Sequence, residues 1–334
     1  MRWIETEHFL VGSTLRTYRM RGDQREAKKI GQELARLSRR LPRCKTSANE
    51  IEPWLRLHLY AQRLEEQYAE LMRRFGLSDA DFAGADDGPA AGEAGYMGAG
   101  PFLGQERKPA VFLFEKSSHH GRFVRRWWKR DAQASFREWM PGGGVALAVD
   151  AQAWREHGFD LDTTLHCVVV NDLALNLLES LRKSWGSAPL WFRLGYAYGC
   201  SRRVDERWTV YAEKTWRGSE GDSWRWEPRI RGLVANRGGA PWEQMYAWDD
   251  PAKLKPHDHL LAWSRVDWLL GQEGVDRRAL VLALTDRPHG IPEADFTRVL
   301  RERQSAALLE LLGRTPAELD EAWRKHVLAR YPRG

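Results

Sequence analysis

Apolar residues recur every three or four positions over two early stretches of the chain. Ala27, Ile30, Leu34, Leu37 and Leu41 form one stripe, and Leu57, Tyr60, Ala61, Leu64, Tyr68, Leu71 and Phe75 form another. That spacing places each set on one face of an α-helix. The first helix is predicted to begin at Asp23-Gln24-Arg25-Glu26, a capping-box-like start, and to reach about Leu41. The second is predicted over 53–75 and is closed by Gly76. Together they read as an antiparallel helical pair laid against a sheet. Strand is predicted over 3–20, with a hairpin around Gly12-Ser13. Further strands over 110–115 and 145–149 flank a predicted helix at 120–138. Gly142-Gly143-Gly144 follows Pro141 and reads as a turn before a strand.

Farther along, 162–183 and 189–199 are predicted helices. Residues 201–255 mix Trp, Arg, Gly and Pro with weak periodicity and read as an irregular insertion with short elements. The remainder is helical, with breaks at Gly274, 288–292 and 313–316. Thr315, Pro316 and Glu318 suit the N-cap, first and third positions of the last helix. The chain thus divides into a strand and helical-pair region at 1–82, a Gly/Ala-rich linker or loop at 83–108, and a third region at 109–334 that contains the insertion. The fold class is α+β, a mainly helical body with a small sheet.

Composition supports a folded chain. Its 334 residues can bury a large core, as one large domain or two. With 43% hydrophobic and 29% charged residues, disorder throughout is excluded. Among the 17 tryptophans, Trp54, Trp263, Trp268 and Trp323 fall in helical apolar patterns and are expected in or against the core. No apolar run approaches the roughly 18 residues of a membrane span. The start, Met1-Arg2-Trp3-Ile4-Glu5-Thr6-Glu7, lacks a signal-peptide core, which reads as a cytoplasmic chain unless a leader has been removed. Cys44, Cys167 and Cys200 lack metal-site spacing, and their odd number argues against a disulfide scaffold. Cys167 reads as a small buried residue; a Cys167–Cys200 bridge would require close packing of two helices.

The segment Ala188-Pro189-Leu190-Trp191-Phe192-Arg193-Leu194-Gly195-Tyr196-Ala197-Tyr198 resembles the second active-site helix of the gluzincin metallopeptidases. That helix reads roughly Pro-x-Trp-Leu-x-Glu-Gly-x-Ala-x-Tyr, and here Leu194 stands where the ligand Glu belongs. The first helix of such enzymes carries His-Glu-x-x-His. Set against 162–183, one register gives Asn171, Asp172 and Leu175; the next gives Val170, Asn171 and Ala174. Neither contains a histidine. The stretches 53–65, 96–115, 257–270 and 315–323 resemble the same family in the same order, most closely a bacterial, usually exported group of peptidase-like proteins.

A catalytic zinc needs about three nitrogen or oxygen ligands at about 2.0–2.2 Å. Aliphatic side chains supply none, and without the ion nothing lowers the pKa of an attacking water toward about 7. The resemblance therefore implies a catalytically inactive pseudo-peptidase, with zinc not expected. Its former cleft, at Asn171, Asp172, Leu175, Arg193, Leu194 and Tyr198, is vestigial or reused to bind a peptide, protein or envelope ligand. The two helices are expected to pack together with Asn171 or Asp172 facing Leu194. In a closed relic Leu175 and Leu194 would pack together, whereas in a reused cleft Asn171, Asp172, Arg193 and Tyr198 would converge on a groove. Partial closure is the expectation, and export is implied if a leader is missing. The alternatives are a zinc-dependent hydrolase with displaced ligands and a basic protein that binds the envelope or nucleic acid.

The net charge of +6 and the run Arg125-Arg126-Trp127-Trp128-Lys129-Arg130 bear on that last reading. Adjacent tryptophans on a helix point in different directions, so a solvated face with one Trp packed inward is preferred and nucleic acid is the lesser reading. His119-His120 and the pair His257 and His259 would need a further ligand from elsewhere to hold metal, and the sequence names none. His166, a turn before Asn171, reads as a hydrogen-bonded structural residue.

Overall fold

The computed structural model describes residues 1–20, 22–44, 49–82, 98, 100–140, 143–181, 188–208, 224–286, 291 and 293–334. One mixed sheet joins the two ends of the predicted organisation. Strands β1 (Arg2–Glu5) and β2 (Leu10–Ser13) pair antiparallel, and β2 then pairs parallel with β5 (Ala110–Phe114). β5 pairs parallel with β7 (Val145–Asp150), and β6 (Ser135–Trp139) runs antiparallel along β7. The order is β1-β2-β5-β7-β6; β3 (Tyr18–Arg19) and β4 (Glu50–Ile51) form a separate two-stranded ribbon. Regions 1–82 and 109–334 consequently share one sheet.

β5 and β7 are buried along their whole lengths, as expected of parallel strands covered on both faces. Val111, Leu113, Leu147 and Val149 face the main core, while Ala110, Phe112, Phe114, Ala146 and Ala148 face a smaller one. The smaller core is closed by α3 (Ser117–Trp128). The main core holds α2 (Pro53–Phe75), α5 (Asp162–Ser180), α6 (Leu190–Val204) and α9 (Pro256–Gly271). A third cluster lies between α1 (Gln24–Leu37), α2 and the small ribbon. The protein is α+β and mainly helical, and no helix among the described residues is long and apolar enough to cross a membrane.

Local signals set many boundaries. Glu52 caps α2 by accepting from the amides of Trp54 and Leu55, Pro53 opens it, and Gly76 closes it in the left-handed conformation at φ 62°. Asp23 caps α1 in the same manner. Thr315 and Glu318 form the reciprocal capping box of α12 (Pro316–Arg330).

Other boundaries differ from the sequence expectation. The first turn is not at Gly12-Ser13, which lie inside β2; the chain reverses at residues 6–9, where the Thr6 hydroxyl accepts from the Phe9 amide at 3.0 Å. α1 stops at Leu37, four residues early, because Ser38 bonds back to the Ala35 carbonyl and Pro42 disfavours helix at Leu41. The expected helix at 120–138 splits. Lys129 adopts φ 56° and ends α3, and 135–139 is strand, with Phe136 turned into the smaller core. The short α4 (Ala151–Glu156), capped by Asp150, was not anticipated.

Much of the Gly/Ala-rich stretch, 83–97 and 99, lies outside the described residues. Its end is packed rather than linker-like: Leu103 has no exposed surface, and Gln105 donates to the Ser180 carbonyl at 2.8 Å. Within 201–255, α6 extends to Val204, and α7 (Trp226–Ala235) and α8 (Trp242–Met245) follow; 209–223 lie outside the described residues. The breaks at Gly274 and Gly313 are positive-φ turns, whereas most of 288–292 is outside the description. Between the last breaks run α10 (Arg277–Thr285) and α11 (Glu293–Leu312).

Tryptophans hold much of the helical body. Trp263, Trp268 and Trp323 are buried, and Arg265 lies between the rings of Trp242 and Trp323 while it bonds Asp320 at 2.6 Å. Trp54 departs from the expectation: it is half exposed at the start of α2, under the Arg2 guanidinium.

Candidate functional site

Every residue of α5 is buried, and its polar side chains fall toward two different neighbours. Asp162, Thr163 and His166 meet α1 and α2, while Asn176 and Glu179 meet the sheet edge and α6. A polar stripe at three- to four-residue spacing on an apolar helix requires partners, because an unpaired buried charge is expensive.

The second stripe borders α6, and of the residues expected to line the cleft Arg193 reaches it. Glu179 has no exposed side-chain surface. Arg137 of β6 donates to one of its oxygens at 3.2 Å, and Arg193 of α6 bonds the other. Arg137 also reaches the Asn176 side-chain oxygen at 3.4 Å, and Asn176 donates to the Ala146 carbonyl of β7 at 3.2 Å. One carboxylate therefore ties together strand β6 and helices α5 and α6. Asn171 and Asp172 are buried, and Leu175 and Leu194 are buried in the main core. Arg193 is about one-fifth exposed.

Tyr198 turns elsewhere. Its hydroxyl lies 2.7 Å from Nδ1 of His259 on α9, and burial pushes that imidazole down to about 4 although Asp258 acts in the opposite sense. The neutral ring and the hydroxyl share one hydrogen bond. Gly195 also serves α9. A Cβ there would lie 2.6 Å from Val266 Cγ2 and closer still to the Ala262 carbonyl. Trp191 faces α11 through a 2.8 Å bond to Gln304. The Trp-Gly-Tyr pattern of α6 thus seats this helix against α9 and α11, while Arg193 faces α5.

The first stripe builds a network that sequence reasoning missed. Arg63 of α2, with no exposure, bonds Glu33 at 2.7 Å and Asp162 at 2.7 Å. Arg56 bonds the other Asp162 oxygen at 2.8 Å and the Arg16 carbonyl at 3.0 Å. Lys29 bonds Glu33 and lies 2.9 Å from His166 Nδ1. Burial, aided by Lys29 and Arg63, holds the His166 imidazole well below its ordinary range, so Lys29 donates to a neutral ring. Glu26 accepts from Tyr18 at 2.6 Å and from the Thr163 amide at 3.0 Å, capping α5 from α1. The available signal was spacing: 26, 29 and 33 on α1, and 56 and 63 on α2, fall on single helical faces.

A cavity of about 510 Å³ opens beside this network and is lined by Lys29, Glu33, His166, Cys200 and Arg203 among others. A second, of about 960 Å³, lies beside Arg16, Arg56, Glu115 and Arg155. Neither is lined by Asn171, Asp172, Leu175, Arg193, Leu194 or Tyr198.

Cys167 and Cys200 do not form a disulfide; Cys200 instead accepts from Gln67. His120 is buried near Asp150 with its ring tilted against Phe114, and no group of three or more metal-binding side chains occurs among the described residues. No family model, curated protein sequence or solved structure matches this chain.

Proposed function

We propose that this chain is a peptidase-like protein without hydrolytic activity, and that it uses the region between β6, α5 and α6 to bind rather than to cut. The observation that carries this reading is the placement of Glu179. The acidic group on the α5 face next to α6 is already shared by two guanidiniums, from Arg137 and Arg193. A metal arriving there would have to displace both cations, and Leu175, one helical turn before Glu179 on α5, supplies no donor. The same arginines are partly exposed and can offer N–H donors to an acidic group of a peptide or protein, a geometry suited to carboxylates.

Elemental analysis after chelator-free purification, paired with cleavage of unstructured peptides, tests the catalytic half of the reading. Well under one zinc per chain and no chelator-sensitive cleavage are expected; about one tightly held zinc with such cleavage overturns the reading. Fluorescence titration with acidic unstructured peptides tests the binding half. Arg137→Gln should weaken binding by roughly tenfold, the value of one charge-assisted hydrogen bond. Equal binding by the variant would move the ligand site elsewhere.

A further inference from the structure

On the α3 side of the sheet, the helix covers β5, β7 and β6, and among the described residues nothing covers the β1–β2 end. Trp3 and Leu10 point to this side. Trp3 lies across Gly12, whose missing Cβ makes room for its ring, and packs edge-on against Phe112 at 5.6 Å. Leu10 pairs in register with Ala110, which faces the smaller core. Phe123 of α3 continues the strip against Phe112 at 4.7 Å, and Trp127, one turn on, extends it outward. Trp3, Leu10 and Trp127 are 46, 37 and 64% exposed, an unusual outlay of large apolar side chains on one face.

Beside Leu10 the Glu5 carboxylate is paired with Lys108, and along α3 the charge has one sign. Residues 116–130 contain six Lys or Arg and no Asp or Glu. Arg130 pairs with Glu138, but Arg122, Arg125, Arg126 and Lys129 have no carboxylate partner among the described residues. The bare apolar surface and the unneutralised cations are therefore contiguous.

We propose that this face docks onto a lipid bilayer surface bearing anionic headgroups, with Trp3, Leu10 and Trp127 entering the interfacial region and the α3 cations against the headgroups. Tryptophan suits that boundary, where its ring is buried and its N–H stays wet, and basic side chains on the polar face of an amphipathic helix add attraction to anionic lipid. A second copy of the chain is disfavoured because a two-fold interface would set the same cations against themselves. A protein partner is disfavoured because interface centres are poor in lysine and in unpaired charge. Nucleic acid would use the cations but gain little from burying Leu10 beside the tryptophans. The face lies apart from Glu179 and does not depend on the peptide-binding proposal.

Flotation of the full chain with phosphatidylcholine vesicles, and with vesicles containing 30% phosphatidylglycerol, tests the proposal. Binding is expected to the anionic vesicles, at least about tenfold stronger than to neutral ones, and to weaken as salt rises. Trp127→Ala should reduce it several-fold, and Arg125→Glu with Arg126→Glu should abolish it. Trp54→Ala, an exposed tryptophan on α2, should bind like the parent. Thermal melts of the variants should match the parent, since the altered side chains are exposed. Equal binding to both vesicle types, or full binding by Trp127→Ala, overturns the proposal. So does a salt-sensitive affinity for duplex DNA without vesicle binding, or a dimer that Trp127→Ala dissociates.

Discussion

Asparagine at position 162 would remove the charge on which Arg56 and Arg63 converge, at a point where none of the three side chains is more than 5% exposed. Arg63 would keep Glu33 and Arg56 would keep only Glu115 at 3.9 Å, and breaking a buried ion-pair network in this way costs about 3–5 kcal/mol. Urea unfolding of Asp162→Asn should show that loss as a lower midpoint at unchanged slope; a loss under about 1 kcal/mol would mean that water reaches the network. Burial alone would raise the Asp162 pKa, but Arg63 and Arg56 outweigh it and hold the carboxyl well below the usual carboxylate range. Its folded value lies below its unfolded value of about 3.9, so its contribution is full at neutral pH and is lost as pH falls below about 4. His259 acts higher on the scale. Its folded value of about 4 lies below the unfolded value of about 6.5, so stability is present above pH 6.5 and drains away between there and 4, by up to about 3 kcal/mol. His259→Gln should flatten that limb of a pH–stability curve; an unchanged slope would assign it to other buried imidazoles such as His166.

At the scale of elements, α6 is bounded by α5, α9, α11 and, through Tyr196 and Phe75, by α2. No face of it is free to move aside. Gly195→Ala should therefore cost about 1–3 kcal/mol by overpacking against α9, where a surface glycine-to-alanine change in a helix would stabilise. A thermal melt decides it, and an unchanged or raised midpoint would show that α9 can withdraw. The same element shows what the sequence could convey. Caps and breaks were readable because Asp23, Gly76 and Thr315 act on their own neighbours. The β6 strand was not, because the helical pattern of α3 runs on past Lys129 and only pairing with β7 makes 135–139 extended. The positions of α5 and α6 were readable from their apolar runs, but Glu179 was overlooked beside them. Its role depends on Arg137, 42 residues away in the chain, and no local pattern links the two.

For the molecule as a whole, the α+β class followed from alternating and helical periodicities, whereas the shared sheet did not. A boundary near residue 82 is sensible along the chain and has no counterpart in the core, because β2 and β5 pair side by side. That pairing also governs how the chain must be made. At synthesis rates of about 5–20 residues per second, β2 emerges from the ribosome several seconds before β5 exists. Throughout that interval Val11, Phe9 and the apolar side of α2, all buried in the finished protein, have no strand to close over them. The nascent N-terminal third thus keeps this apolar surface uncovered until residue 114 has cleared the exit tunnel, and the central strand, arriving from the middle of the sequence, is what covers it.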